Sequence, residues 1–579
     1  MKNTPDNKIP ARIADLNRQR KELLTLPPGK TMQRIFESAQ PAALVHSFPE
    51  QDLFFLIHDI GAEDALPLLA LASDRQWEYI LDIKTWYRDR LEPVALIRWF
   101  DLLYRADARR TLKWLIEQKT KLLTLFLFKN IEVRVCEHDR DPSEFGKDFF
   151  TLDSVFYVRI TGPLFASDSE LGDIERKNYR VFLTKLIQSL AAFDHVAYQT
   201  LLLEAAHSIP AENEEEAYRL RNVRLAEKGF LPFEEAVGVY QPLTARQLAG
   251  RNHKVLPRTE AEISAPVPFY PSGVLEGGSI FSGALATIGT EAVLEQLQTE
   301  FAGLCNRIIA ADLAPVHSKD DLRAVVKKAN GFLSIGLETL AAETEANGHP
   351  VSNLSAALVQ RHPLSDIFRV GYGRVLELKW RVQRWLDRSW FAGQGLSLTF
   401  WGEDWLGVLG GLLVKKPMFF DNYVSGRMYR DFGTVDELRQ TAAALEAVIA
   451  CDHLFSLMTI PPELLSARRF LMYKNLMLTL WALDRVGCTK KNRFLTRAEF
   501  RLFFEQLWQS NDRPRRVAPA IKQSFLSWLC GLTGMRSHEI TDKLGSVLES
   551  LFLEIEEEYG QVDTADLDPR FIHLFLIER

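Results

Sequence analysis

DLFFLIHDIGAEDALPLLALA, residues 52–72, places its apolar side chains at helical intervals: Leu53, Phe54, Leu56, Ile57 and Ile60, then Leu66 and Leu69. The same texture recurs in ALIRWFDLLYRADARRTLKWL, residues 95–115. Laid over one another, the two place Leu53 on Leu96, Ile57 on Phe100, Ile60 on Leu103, Asp64-Ala65 on Asp107-Ala108 and Leu69 on Leu112, a constant offset of 43 residues. That spacing lies within the ~40 to 47 residues of HEAT and armadillo helix pairs, in which each unit covers its apolar face by stacking on the next. An irregular helical bundle in chance register is the competing reading. Either way the fold class is mainly α, and the repeat reading makes 41–130 an N-terminal helical superhelix.

Working outward, the pattern changes at IEVRVCEHD (131–139) and TLDSVFYVRI (151–160), where β-branched and aromatic residues nearly alternate around the turn formers of RDPSEFGKD. A small β-hairpin insertion is expected over 131–160. Residues 1–40 read as a polar arm and lead-in helix, and 161–240 as a helical region. Its clearest helix, Glu212 to Lys228, carries Ala217, Leu220, Val223 and Leu225 on the expected inner face. Gly229 ends it, and Pro232 opens the next. Residues 241–289 hold Pro257, Pro266, Pro268, Pro271 and GVLEGGSIFSG and read as a linker or long loop. From 290 to 579 the pattern is a larger helical C-terminal region. Its closing helix sets Leu544, Val547, Leu548, Leu551, Phe552 and Ile555 on one face.

With 579 residues the chain has room for two to four packed units, and 47% apolar with 25% charged residues is ordinary globular composition. A formal net charge of −6 does not favour nucleic acid as a partner. The five cysteines, Cys136, Cys305, Cys451, Cys488 and Cys530, form no CxxC pair, which suits free thiols in a reducing compartment. The polar opening lacks a secretory apolar core, and the longest apolar stretches, Leu122–Phe128 and Trp405–Val414, are far short of the ~20 residues of a membrane span. A cytoplasmic protein with no membrane span is the expectation.

Two resemblances bear on these residues. The segment 41–118, with DLFFLIHDIGAEDALPLLAL, resembles the intracellular superhelical N domain of bacterial magnesium transporters, which implies a helical superhelix and transfers no metal ligand. RLRNVRLAEKGFLPFEEAVGVYQPL (219–243) and FLTRAEFRLFFEQLW (494–508) resemble an uncharacterised bacterial family of unknown function spanning most of the chain. That family brings no activity, cofactor or catalytic residue with it.

Most chemical motifs dissolve on inspection. Gly29-Lys30-Thr31 imitates the end of a phosphate-binding loop, but Leu24 stands where a glycine is needed, and Pro27 and Pro28 lack the amides that cradle phosphate. His538-Glu539 begins like HExxH, yet Asp542 replaces the second histidine. Cys136 and His138 share a strand face, and two ligands make no zinc site. GYGRVLEL at 371–378 reads as a helix start. Trp380, Trp385 and Trp390, interleaved with Lys379, Arg381, Arg384 and Arg388, read as one helix buried on several sides with its basic residues snorkelling. No metal site is expected, and the cofactor is unknown.

The segment that concentrates chemistry is WGEDWLGVLGGLLVKKPMFFDNYVSGRMYRDF, residues 401–432. Glu403, Asp404, Asp421 and Asp431 are the residue types for acid, base or cation-ligand work, and Lys415, Lys416, Arg427 and Arg430 for holding an anion. Ion pairs and aromatic packing at a domain junction explain the same residues structurally. The leading functional expectation is a non-enzymatic interaction or scaffold protein whose stacked helices receive other proteins. The alternatives are a binding or enzymatic protein for an anionic small molecule that uses 401–432, and a divalent-cation or signal sensor.

Overall fold

Both aligned segments fold as helix, turn, helix. Glu50–Ile60 stops at Gly61, whose φ of 99° few side chains tolerate, and Leu66–Leu71 follows. In the second segment Pro93–Ala106 stops at Asp107, whose extended backbone lets its carboxylate accept from the Arg110 amide at 3.0 Å and cap Ala108–Gln118. The aligned Leu53, Ile57 and Leu69, like Leu96, Phe100, Leu103 and Leu112, are buried. Trp77 joins the two: its indole donates to the Leu69 carbonyl at 2.8 Å, its ring meets Trp114 edge-on at 5.6 Å, and Arg110 lies 4.1 Å over it.

The computed structural model describes residues 8–578 except 88, 137–144, 166–170, 208–209, 257–269, 276, 315, 317, 345–350, 466–470, 489–493 and 511. It is mainly α, with 28 α-helices among the described residues and three small antiparallel sheets. Two compact units, Met1–Arg369 and Val370–Arg579, meet in sequence within the helix Leu364–Leu386. No described helix is long and apolar enough to cross a membrane.

In the first unit Ile131–Val135 pairs with Phe156–Ile160, and Phe150–Thr151 adds a third strand on the far side of Phe156–Ile160. The expected hairpin thus has an extra strand. Phe156, Val158 and Ile160 turn inward, while Glu132 faces Arg159 across the ladder. His138 lies outside the described residues. The helix Pro210–Glu227 departs from its sequence reading. Leu225 is buried, but Leu220 is 41% and Val223 57% exposed. Its inner face is claimed by cations instead. Arg224 grips both oxygens of buried Asp82 at 2.8 Å and reaches Glu78 at 3.1 Å, and Arg221 donates to the Asp82 carbonyl at 2.7 Å. Within 241–289 the structure has the helices Ala245–Ala249 and Ile280–Ala286, whose Leu248, Phe281 and Ala284 are buried.

The second unit is built on aromatic rings. Trp481 touches Phe503, Phe525 and Phe552 at 5.0, 4.8 and 6.2 Å between centroids. The three tryptophans expected on one helix divide differently: Trp380 faces out, Trp385 is buried, and Trp390 starts the separate turn Trp390–Gly393 because the helix ends at Leu386. Buried Asp452 ties the last two together, accepting from the Trp385 indole at 3.1 Å and from the Trp390 and Phe391 amides at 3.1 and 3.0 Å. GYGRVLEL lies inside the helix Leu364–Leu386 and not at its start.

Close helix packing in the first unit has one sharp test. A Cβ on Gly336 would stand 2.2 Å from the Ile367 carbonyl oxygen, whereas a Cβ on Gly303 meets nothing within 4 Å. Gly336→Ala is expected to lower stability by about 1–3 kcal/mol, and Gly303→Ala to leave it unchanged or raise it by up to about 1 kcal/mol. Urea midpoints of the two variants check the contrast.

Candidate functional site

The segment 401–432 folds as the helix Gly402–Leu413, a return through Met418, and the two-strand hairpin Phe419–Phe420 with Tyr429–Arg430. Gly407, Gly410 and Gly411 fall three and four residues apart and so share one helical face. A Cβ on Gly407 would lie 2.4 Å from the Phe420 ring, and one on Gly411 2.6 Å from the Met418 carbonyl. The bare face is the bed on which the hairpin lies. Tyr429 closes it by donating to the Gly407 carbonyl at 3.1 Å.

On that bed Arg430 spans two carboxylates, Asp421 at 2.7 Å and Glu437 at 2.7 Å, with its guanidinium 4.6 Å over the Phe419 ring. Its third contact, at 3.3 Å, is the Asp431 carbonyl. Asp421 is buried, and its other oxygen accepts the Ser425 amide at 2.6 Å and the Ser425 hydroxyl at 2.7 Å. Those two Ser425 bonds, and then Arg430, hold the Asp421 carboxyl down at about 2. Glu437 also receives the Gly433 amide at 2.6 Å and completes a capping box with Thr434 on the helix Val435–Leu457.

These bonds fix the hairpin tip. Asn422, Tyr423 and Gly426 have φ of 45°, 63° and 83°, and the Tyr423 amide donates to the Arg427 carbonyl at 3.1 Å. Tyr423, Val424, Arg427 and Met428 face solvent.

Glu403 and Asp404 lie elsewhere, in the first turn of the helix Gly402–Leu413. With Trp401, Trp405, Tyr473 and Ser550 they line a cleft of about 200 Å³. Trp405 stacks on Tyr473 with centroids 4.5 Å apart and planes 14° from parallel. Lys474, also on the cleft, pairs with Glu554 at 2.6 Å.

The residues singled out in the sequence therefore fall into two groups. Asp421, Arg430 and the Asp431 backbone form one bonded network, Arg427 projects from its tip, and Glu403 and Asp404 border a separate cleft. Lys415 gives its carbonyl to Lys379 at 3.0 Å at the end of the helix. Sequence reasoning missed Ser425 and Glu437, although the Thr434–Glu437 spacing of a capping box was a local signal for the latter. It also missed Tyr473 and Ser550, for which no local signal exists. Elsewhere Thr31 of Gly29-Lys30-Thr31 is buried and donates to the Leu23 carbonyl at 2.9 Å, and Glu539 accepts the Arg536 amide at 2.9 Å as a helix cap. Among the described residues no three His, Cys, Asp or Glu side chains are placed to hold a metal ion.

Fold and site together define a mainly α-helical protein whose second unit carries an ion-paired hairpin and an aromatic, acid-bordered cleft. The chain belongs to the family of unknown function DUF6178, matched over residues 8–578. No curated protein and no solved structure matches it, so nothing beyond the sequence texture supports the likeness of 41–118 to the magnesium-transporter domain.

The Asp421 network has a pH signature. Its carboxyl is depressed relative to the unfolded chain, so its contribution is complete above the usual carboxylate range and is lost as pH falls from about 4 toward 2. Hydrogen-exchange protection factors of the tip 421–428 are expected to hold at pH 5 and to collapse over that interval. Asp421→Asn should already lack the protection at pH 5. Equal protection in both proteins at pH 5 defeats the assignment.

Proposed function

We propose that the protein is a non-catalytic interaction protein and that the hairpin tip 421–428 is where a partner protein is contacted. The observation that carries this reading is Tyr423, held at φ 63° while 64% exposed, beside Val424 at 89%. A left-handed backbone at a non-glycine residue costs about 1–2 kcal/mol and persists only where its surroundings impose it. Here Asp421 imposes it, and the result is a rigid display of Tyr, Val, Arg and Met to solvent. Tyrosine, methionine and arginine are enriched in interface cores, and preorganised display lowers the entropy lost on binding. The partner this display fits has an apolar socket with a carboxylate at its edge for Arg427.

The anionic-ligand alternative is weakened because Arg430, its central cation, already spans Asp421 and Glu437. Five free cysteines, two of them fully buried, agree with an intracellular setting. Helix stacking over 41–130 would offer further contact area under the same reading.

Tyr423→Gly separates display from stability. Relief of about 1–2 kcal/mol of strain is offset by about 0.5–1 kcal/mol of added chain entropy, so the unfolding midpoint should stay level or rise slightly. A photo-crosslinker at position 424 should capture one partner from the native cell, with yield falling about tenfold or more in Tyr423→Gly and in Arg427→Glu. Capture that survives both substitutions sinks the proposal.

A further inference from the structure

The three-stranded sheet of the first unit ends in two unlike edges. Phe150–Thr151 is only two residues long, and a very short strand is one way a sheet blunts an edge. Ile131–Val135, at the other edge, has no proline, glycine, lysine or bulge. Its register is unbroken from Ile131 opposite Ile160 to Val135 opposite Phe156. We infer that a second copy of the chain pairs along this edge, antiparallel about a two-fold axis at Val133. The inference does not depend on the hairpin tip 421–428.

Backbone direction decides which groups are on offer. At the two ends of the strand the Thr161 amide donates to the Asn130 carbonyl at 2.9 Å and the Cys136 amide to the Val155 carbonyl at 2.8 Å, so residues 130 and 136 turn their backbone toward Phe156–Ile160. Bonding alternates along an antiparallel ladder, so Glu132 and Arg134 do the same, and Ile131, Val133 and Val135 turn theirs outward. The Ile131 amide is held by the Leu127 carbonyl at the end of the helix Thr120–Asn130. Among the described residues no hydrogen bond reaches the Ile131 carbonyl or the backbone of Val133 and Val135. The helix His195–His207 packs against the strand, yet Val133 and Val135 stay part exposed.

Charge usually keeps such an edge from pairing, but here it selects a partner. Two identical edge strands in a closed two-fold pair run antiparallel. With Val133 opposite Val133, their amides and carbonyls bond to one another, and each Val135 amide meets the Ile131 carbonyl of the second copy. Glu132 then stands opposite Arg134 on both sides of the axis. A slip of two residues, the step that keeps the outward groups facing one another, would set Glu132 on Glu132 or Arg134 on Arg134. Opposite charges directly across a ladder stabilise it and like charges destabilise it, so the centred register is the favoured one. Within each copy Glu132 already accepts from Arg134 at 2.9 Å and pairs with Arg159. Pairing therefore closes a ring of alternating charge beside the axis.

The test uses the full chain. Sedimentation velocity from about 1 to 100 μM is expected to show a monomer–dimer equilibrium. Arg134→Glu sets glutamates against each other and should raise the dissociation constant about tenfold or more. Val133→Pro removes the amide at the axis while leaving the inner ladder its bonds, and should do the same. Circular dichroism checks the fold of both variants. Register is read separately: E132C and R134C, mixed under mild oxidation, should form a disulfide between residues 132 and 134 of different chains, located by mass spectrometry, that neither variant forms alone. Opposed residues outside a hydrogen-bonded pair have Cα atoms about 4.5 Å apart, within disulfide reach. A monomer throughout the range overturns the assignment, including one whose edge accepts some other extended segment. A dimer undiminished in either variant, or absence of the 132–134 disulfide, overturns it as well.

Discussion

The helix Gly402–Leu413 has no side chains on the face that bears Gly407, Gly410 and Gly411, and the geometry of the hairpin depends on that bare face. Glycine inside a helix costs about 1 kcal/mol relative to alanine, so three cost roughly 3 kcal/mol. Covering the Phe420 and Tyr429 rings, each partly buried, returns a similar amount at roughly 1.5–3 kcal/mol for a fully buried large apolar side chain. The backbone can then approach closely enough for the Tyr429 hydroxyl to reach the Gly407 carbonyl. A methyl group at Gly407 or Gly411 would push the hairpin away and leave Arg430 without its position above Phe419.

Once the hairpin is bedded, its charges are spent locally. Arg430 sits between Asp421 and Glu437, and Glu437 in turn caps the next long helix. A partly buried guanidinium with two carboxylates and a ring face is stable because each donor has a defined acceptor, and removing one carboxylate would leave the rest poorly matched. The network is thus a structural clasp. Its by-product is the left-handed turn at Asn422 and Tyr423, which no local sequence preference would select for a tyrosine.

Much of the architecture was legible in the chain because helices advertise themselves through local spacing. The buried faces at Leu96–Leu103 and Leu544–Ile555 follow the 3.6-residue period, whereas residues 51–57 are buried without a break, and the alternation at 131–135 and 156–160 gave real strands. Spacing misled where a polar partner outbid apolar residues for the inner face. Leu220 and Val223 lie outward because Arg221 and Arg224 turn toward Asp82, and nothing near residue 224 announces a carboxylate 142 positions away. The tryptophans every five residues belong to two elements because the helix ends at Leu386, ahead of the Ser389 cap of the next turn. Within 401–432 the sequence signalled a gathering of charge but not its division. Glu403 and Asp404 look equivalent to Asp421 in composition, and only their neighbours from Tyr473 and Ser550 set them apart.

That division also constrains how the two surfaces of the second unit relate. The cleft borders the first turn of the helix Gly402–Leu413, and the hairpin lies along its glycine face, so both are mounted on one short rigid rod. Coupling between sites requires an element with two arrangements that each site biases. This rod has little slack, since Phe420 already occupies the space a Cβ at Gly407 would take and Met418 the space of one at Gly411. The hairpin is therefore locked by Asp421, Arg430 and Glu437, and its tip keeps its shape independently of the side chains around the first turn of that helix. The physical expectation is that substitutions in the cleft and in the hairpin act on stability independently, because each is built from side chains that the other does not use.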